Sequence, residues 1–133
     1  MKYLLDTNIC IYLIKEKPEI VLNRLKSHNI SDIRISSVTV SELYYGVAKS
    51  KLKKKNEEAL IKFLSPFEFV PFTDEDAMIY GEIRTKLEKG GQVIGPYDLQ
   101  LAAQSLARGL TLVTNNEKEF NRVSNLTVEN WAK

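Results

Sequence analysis

Lys2-Tyr3-Leu4-Leu5-Asp6-Thr7-Asn8 decides how the rest of the chain is read. Tyr3, Leu4 and Leu5 make a short buried strand, and the chain then turns polar. An apolar strand ending in a carboxylate, followed by helix-capping residues, puts a negative side chain at the carboxyl edge of a sheet. Ligands of open α/β sheets bind at that edge.

The same rhythm repeats downstream. Thr7 and Asn8 are good caps, so the apolar run Ile9 to Ile14 reads as a short buried helix. Pro18 opens a second helix to about Asn29, with Val21 and Leu25 on one face and His28 in the last turn, favoured by the dipole. Ile33 to Ser36 is the second strand, and Thr39-Val-Ser-Glu42 starts the next helix as a capping box. A helix from about Asn56 to Leu64 turns Ala59, Leu60, Phe63 and Leu64 inward. Phe67 to Phe72 is a third strand, placed at an edge by Pro71. Asp74 to Lys89 is a long helix, capped by Thr73 or Asp74 and stopped by Gly90-Gly91. Its buried stripe is Ile79, Tyr80, Ile83 and Leu87. Gly95-Pro96 opens a helix with Leu99, Ala102, Ala103 and Leu106 at helical spacing, and Gly109 closes it. Leu110 to Val113 is a fourth strand. The turn Thr114-Asn115-Asn116, a short helix ending near Phe120 and a last strand at Leu126 to Val128 follow, with Trp131 packing near the terminus. Strands alternating with helices predict a mostly parallel sheet covered on both faces.

With 133 residues, the chain suits one domain that buries roughly two thirds of its unfolded surface. It is 44% hydrophobic and 27% charged, a globular rather than a disordered composition. A net charge of only +2 does not announce a nucleic-acid binder. Lys49, Lys51, Lys53, Lys54 and Lys55 form a basic run, and Arg84, Lys86 and Lys89 a second cluster. A solvated helix face explains either as well as a phosphate track does. Cys10 is alone, which excludes a disulfide framework and suggests a reducing compartment. His28 is alone, which excludes a His-rich metal site. No apolar run has membrane-spanning length, and the N-terminus lacks a basic region with a cleavage site. A cytoplasmic protein without membrane contact is expected.

Four acids stand out, each with an ordinary explanation. Asp6 is placed as an N-cap, although Thr7 and Asn8 suit that role equally. Glu42 fits the capping box. Asp98 lies in the first turn of its helix, where a carboxylate suits the dipole. Glu119 sits in a short solvated helix. Together they mean more. If strands one, two and four are neighbours, Asp6, Glu42, Asp98, Asn116 and Glu119 gather at one crevice. Two carboxylates ~5 Å apart at an effective dielectric near 20 repel by about 3 kcal/mol. Such a group calls for protonation or a cation. Oxygen donors without His or thiolate suit Mg²⁺, with Mn²⁺ as a substitute. Such an ion generates a nucleophile from water and offsets charge on a phosphodiester transition state. A Ser-His or Cys-His nucleophile is excluded, and there is no Gly-rich phosphate loop.

At this point the chain resembles the PIN-domain ribonucleases, specifically the VapC toxins of bacterial type II toxin–antitoxin pairs. The matching stretches are Leu5-Asp-Thr-Asn8, Ser37-Val-Thr-Val-Ser-Glu-Leu43, Ile94-Gly-Pro-Tyr-Asp-Leu99 with Ala102-Ala103, and Val113-Thr-Asn-Asn116 through Glu119-Phe120. Glu129-Asn-Trp131 is similar to the family's ending. The resemblance implies one PIN domain over residues 1–133, with a three-layer α/β fold and a central twisted sheet of four to five mostly parallel strands. It implies magnesium-dependent endoribonuclease activity that inhibits translation, with tRNA as the leading substrate. It also implies a homodimer, a hetero-oligomer with a VapB-type antitoxin whose tail fills the acidic cleft, and contact with operator DNA only through that antitoxin. By motif position, Asp6 and Asp98 are metal ligands and Glu42 is the third acid, a ligand or a water-orienting group. Many relatives carry Asp where this chain has Asn116. Either Glu119 supplies the carboxylate, directly or through water, or Asn116 is a neutral ligand, with Thr114 ordering the turn.

Arg84 and the lysines of its helix are candidate phosphate contacts. Tyr44, Tyr45 and Tyr97 are candidates for base stacking, with core or dimer packing the favoured role for the first two. Two rivals come from other classes. A catalytically inactive PIN-like module that binds RNA or protein would keep its function after Asp6→Asn and Asp98→Asn. A receiver-like phosphoacceptor domain would need an acidic pair after strand one and a lysine after the last strand, and both are missing.

Overall fold

The computed structural model describes residues 1–133. Five strands, β1 (Tyr3–Leu5), β2 (Ile33–Ser36), β3 (Glu68–Val70), β4 (Thr111–Val113) and β5 (Val128–Glu129), alternate with seven helices. The helices are α1 (Thr7–Lys15), α2 (Glu19–Lys26), α3 (Ser37–Ala48), α4 (Lys53–Leu64), α5 (Asp74–Lys89), α6 (Pro96–Arg108) and α7 (Glu117–Phe120). All strand pairs are parallel, in the order β3-β2-β1-β4-β5. β3 is therefore at an edge, as Pro71 predicts, and β1 lies between β2 and β4.

The pleat sends successive side chains to opposite faces, and this splits the core in two. Tyr3 and Leu5 pack with Ile33, Ile35 and Val113 against α1 to α4. Leu4 and Leu112 pack on the other face against Leu99, Leu101, Ala102 and Phe120. Each strand of the centre is buried on both sides, which is why β1 and β4 are apolar without alternation. The result is a sheet between two helical layers.

Three local expectations are corrected. α3 starts two residues before Thr39: Ser36 is its N-cap and its hydroxyl accepts from the Val38 N–H at 3.0 Å. The Thr39/Glu42 capping box is therefore absent, because both residues sit inside the helix. The capping box of the chain is instead at α5, where Thr73 and Asp76 exchange hydrogen bonds. His28 lies beyond the end of α2 rather than in its last turn. It stacks on Trp131 at 4.9 Å between centroids and packs against Tyr3, so aromatic contact explains it better than the dipole does. Ala59 is exposed, and α4 buries only Leu60 and Leu64 completely. No helix is long and apolar enough to cross a membrane.

Candidate active site at the carboxyl edge of the sheet

Strand register alone brings the first components together. Leu5 pairs with Ile35 on one side and Val113 on the other. The next residue of each strand, Asp6, Ser36 and Thr114, therefore emerges at the same carboxyl edge. All three are buried.

Asp6 is only 4% exposed. Its Oδ1 accepts from the Ile9 N–H at 2.9 Å, so it is the N-cap of α1, a role that sequence reasoning shared with Thr7 and Asn8. Thr7 is released from capping and donates its hydroxyl to Glu42 Oε1 at 2.8 Å. Thr114 also hydrogen-bonds the Asp6 carboxylate. Burial pushes the Asp6 carboxyl up to about 6, the Thr114 and Ile9 hydrogen bonds oppose this, and the Glu42 charge adds to it.

Asp98 is the third residue of α6, behind Pro96 at the first position. Burial again pushes its carboxyl up to about 6, followed by the charges of Asp6, Glu119 and Glu42 and a hydrogen bond shared with Glu119. Residues from α1's start, α3, α6 and α7 thus feel one another as like charges, as the sequence grouping anticipates. The ring is loose: no three of the His, Cys, Asp and Glu side chains close on one point.

Asn116 ties the turn after β4 to Glu119. Its side-chain amide donates to Glu119 Oε2 at 2.8 Å, and its backbone N–H donates to Thr114 Oγ1 at 2.9 Å. It holds Glu119 and closes the turn after β4. Arg84, a candidate phosphate contact, is engaged by Glu88 at 3.1 Å and by the Tyr80 hydroxyl at 3.0 Å. Tyr44 and Tyr45 are exposed, at 41% and 66%, so neither is core. Tyr97, beside Asp98, is 57% exposed and free to stack. Sequence reasoning gave Thr7 to helix capping and Thr114 to the turn, and missed the bond from Thr7 to Glu42 and the influence of Thr114 on Asp6. Their signal was position: each is the residue beside an acid or at the level of one.

The donor set fits a hard divalent cation. It offers carboxylate, hydroxyl and amide oxygens, with no imidazole or thiolate. The acids repel one another and burial deprives them of water, so a cation at their centre offsets both effects.

The family model for the PIN domain matches residues 3–126. Ribonuclease VapC2 of Rickettsia felis is 47% identical over 100% of both chains. The tRNA(fMet)-specific endonuclease VapC of Salmonella typhimurium is 40% identical over 99% of both. Among solved structures, VapBC2 from Rickettsia felis bound to a DNA fragment from its promoter superimposes with TM-score 0.90. That chain is 46% identical, with 98% of this chain and 99% of that one covered.

Proposed function

The chain belongs to the PIN-domain family, and from that premise we propose that it is the VapC-type toxin of a toxin–antitoxin pair, an endoribonuclease that cleaves tRNA. The observation that carries the reading is the gathering of Asp6, Asp98, Glu42 and Glu119 at one sheet edge, where burial first and like charges next raise the Asp6 and Asp98 carboxyls to about 6. A fold has no use for such repulsion, and a cation-dependent site does.

PIN-domain ribonucleases work with a divalent cation, and Mg²⁺ is the ion best matched to this donor set, with Mn²⁺ as a substitute. Asp6 and Asp98 would hold it. When bound, the ion supplies Lewis-acid polarisation of a phosphoryl oxygen and favours ionisation of water. Glu42, fixed by Thr7, would orient water at the rim. Glu119, fixed by Asn116, shares a hydrogen bond with Asp98 and completes the charge at the far side. Asp6 is pinned by the Ile9 N–H at 2.9 Å. Pinning of this kind is what positions a ligand without reorganisation during the reaction.

The tRNA assignment rests on the likeness to an endonuclease specific for tRNA(fMet). A VapB-type antitoxin is the expected partner, since the matching structure is a VapBC complex, and operator DNA would be reached through it. A groove of about 290 Å³ between α1, α3 and α4 supports a peptide partner; Ile11, Ile14, Leu43, Val47 and Leu60 line it, with Glu42 at its rim. A homodimer is part of the same proposal.

The experiment is cleavage of a tRNA pool with Mg²⁺ by wild type, Asp6→Asn and Asp98→Asn. Loss of cleavage in both variants, with folded protein, is the expected result. Variants that cut as fast as wild type would overturn the site assignment. Expression without the partner should stop growth in wild type and not in either variant.

A further inference from the structure

The acid cleft that cuts RNA is the part of the surface least able to attract it. Before a cation binds, carboxylates face a polyanion. Affinity for RNA comes mainly from cationic groups along its phosphates, so the molecule needs them elsewhere. α3 leads to such a place. Glu42, Tyr45 and Lys49 are three and seven residues apart and share one stripe of the helix. Lys49 stands about 10 Å along the axis from Glu42. Tyr45 is 66% exposed, and the Lys49 ammonium lies 4.6 Å from its ring centroid, which leaves the second ring face open. From Lys49 the chain continues through Lys51 to Lys53, Lys54 and Lys55 at the start of α4, all exposed.

Most of the chain's 19 Lys and Arg side chains have no carboxylate within 4.0 Å, and these five stand out by their density. Arg34, Arg84, Arg108 and Lys133 are each paired with a carboxylate within 4.0 Å. None of the five lysines is, although Glu57 and Glu58 lie four residues after Lys53 and Lys54. Five positive charges within seven residues exceed the net +2 of the whole chain, so the remainder is net acidic. Like charges this dense repel one another, and no ion pair within 4.0 Å offsets them.

We propose that the stripe Glu42–Tyr45–Lys49 and the Lys51–Lys55 run form a track for a single-stranded part of the RNA, leading away from the cut bond. Tyr45 stacks on a base, and the lysines bind successive phosphates. Stacking with a cationic groove holds single strands with little regard for sequence. The track rests on the RNA-cleaving reading for its purpose and is tested separately from it.

The test uses the five-lysine variant (Lys49, Lys51, Lys53, Lys54 and Lys55 to Ser), Tyr45→Ala and Tyr45→Phe. All positions are exposed, and the thermal midpoint checks folding. Binding of a fluorescein-labelled 20-nucleotide single-stranded RNA is measured in EDTA, where nothing is cut. The five-lysine variant should bind at least tenfold more weakly. Its salt dependence should flatten by about 0.7 in log–log slope for each phosphate that no longer meets a lysine. Tyr45→Ala should bind about tenfold more weakly, and Tyr45→Phe should keep wild-type affinity. With Mg²⁺, KM for the tRNA pool should rise with kcat unchanged, while kcat/KM for a fluorogenic trinucleotide stays within twofold. Unchanged RNA affinity in the five-lysine variant would overturn the track. So would loss of affinity for a poly-glutamate peptide with RNA affinity intact, which would assign the surface to an acidic peptide instead. If wild type binds RNA through these lysines and cuts none, the track stands and the nuclease reading falls.

Discussion

Asp6 and Asp76 are both buried aspartates at the start of a helix, 4% and 0% exposed, and the protein treats them in opposite ways. Burial alone would push the Asp76 carboxyl up. The Arg108 hydrogen bonds, the Thr73 N–H and the guanidinium charge more than reverse this, leaving it below the usual carboxylate range. Arg108 Nη2 donates to Asp76 Oδ2 at 3.0 Å, and the Thr73 N–H donates to the same oxygen at 2.8 Å. Asp6 has hydrogen bonds but no cation, and its charged neighbours are acids. A carboxylate needed only for the fold receives its counter-charge from the chain. One left among like charges is what the proposed cation site requires.

The sharpest way to break this comparison is to neutralise each side in turn. On the proposed site, Asp98→Asn removes a ligand of the cation, whose charge stabilisation contributes several kcal/mol to the transition state. Cleavage of the tRNA pool, followed as kcat/KM, should fall by at least about 10³-fold, and adding EDTA to wild type should abolish it. Arg108→Leu should leave that chemistry alone and attack the fold. It strands a buried Asp76, with an expected loss of about 3 kcal/mol in stability, read from the urea midpoint.

The two sites should also answer pH with opposite signs. Asp76 is held below its unfolded value, so its contribution is full above the unfolded pKa and is lost as pH falls through the folded one. Asp98, raised to about 6, binds a proton more readily folded than unfolded. Stability of the metal-free protein should therefore drop as pH rises from about 4 to 6 on its account. Asp98→Asn should remove that drop and raise stability at pH 7.5 in EDTA by about 1 kcal/mol after solvent screening. Thermal midpoints across pH 3 to 8 measure both, and a destabilised Asp98→Asn would end the idea that this acid is kept against the interest of the fold. The smallest effect tests the scaffold alone. Gly81 lies within α5, where an added Cβ meets nothing within 4 Å. Gly81→Ala should stabilise by roughly 0.5–1 kcal/mol without changing cleavage.

Much of the site was legible in the sequence because it sits where elements change. Asp6 follows a strand, Asp98 follows Gly95-Pro96, and Glu119 follows the turn at Thr114. Glu42 carried an ordinary explanation that the structure removes. Its capping-box spacing with Thr39 is real in the sequence, yet Ser36 starts the helix and leaves Glu42 to Thr7. The partner of Arg84 was not legible, because a positive residue on a helix face shows nothing of its pairing, and Glu88 one turn on holds it. Asn116 marked the turn that holds Glu119, and its pairing with that acid was not legible, since donor or acceptor use of an amide depends on its neighbours.

The sequence by itself determined the alternation of strands and helices, the two-faced burial of the central strands, and the places where acids leave the sheet. Those follow from local periodicity and from breaks in it, which one stretch of chain contains entirely. Tertiary structure alone decided which charges are answered. Pairing Asp76 with Arg108, and setting Asp6 among Asp98, Glu42 and Glu119, depends on parallel strand order. That order is fixed by packing across the whole sheet, and no single segment carries it.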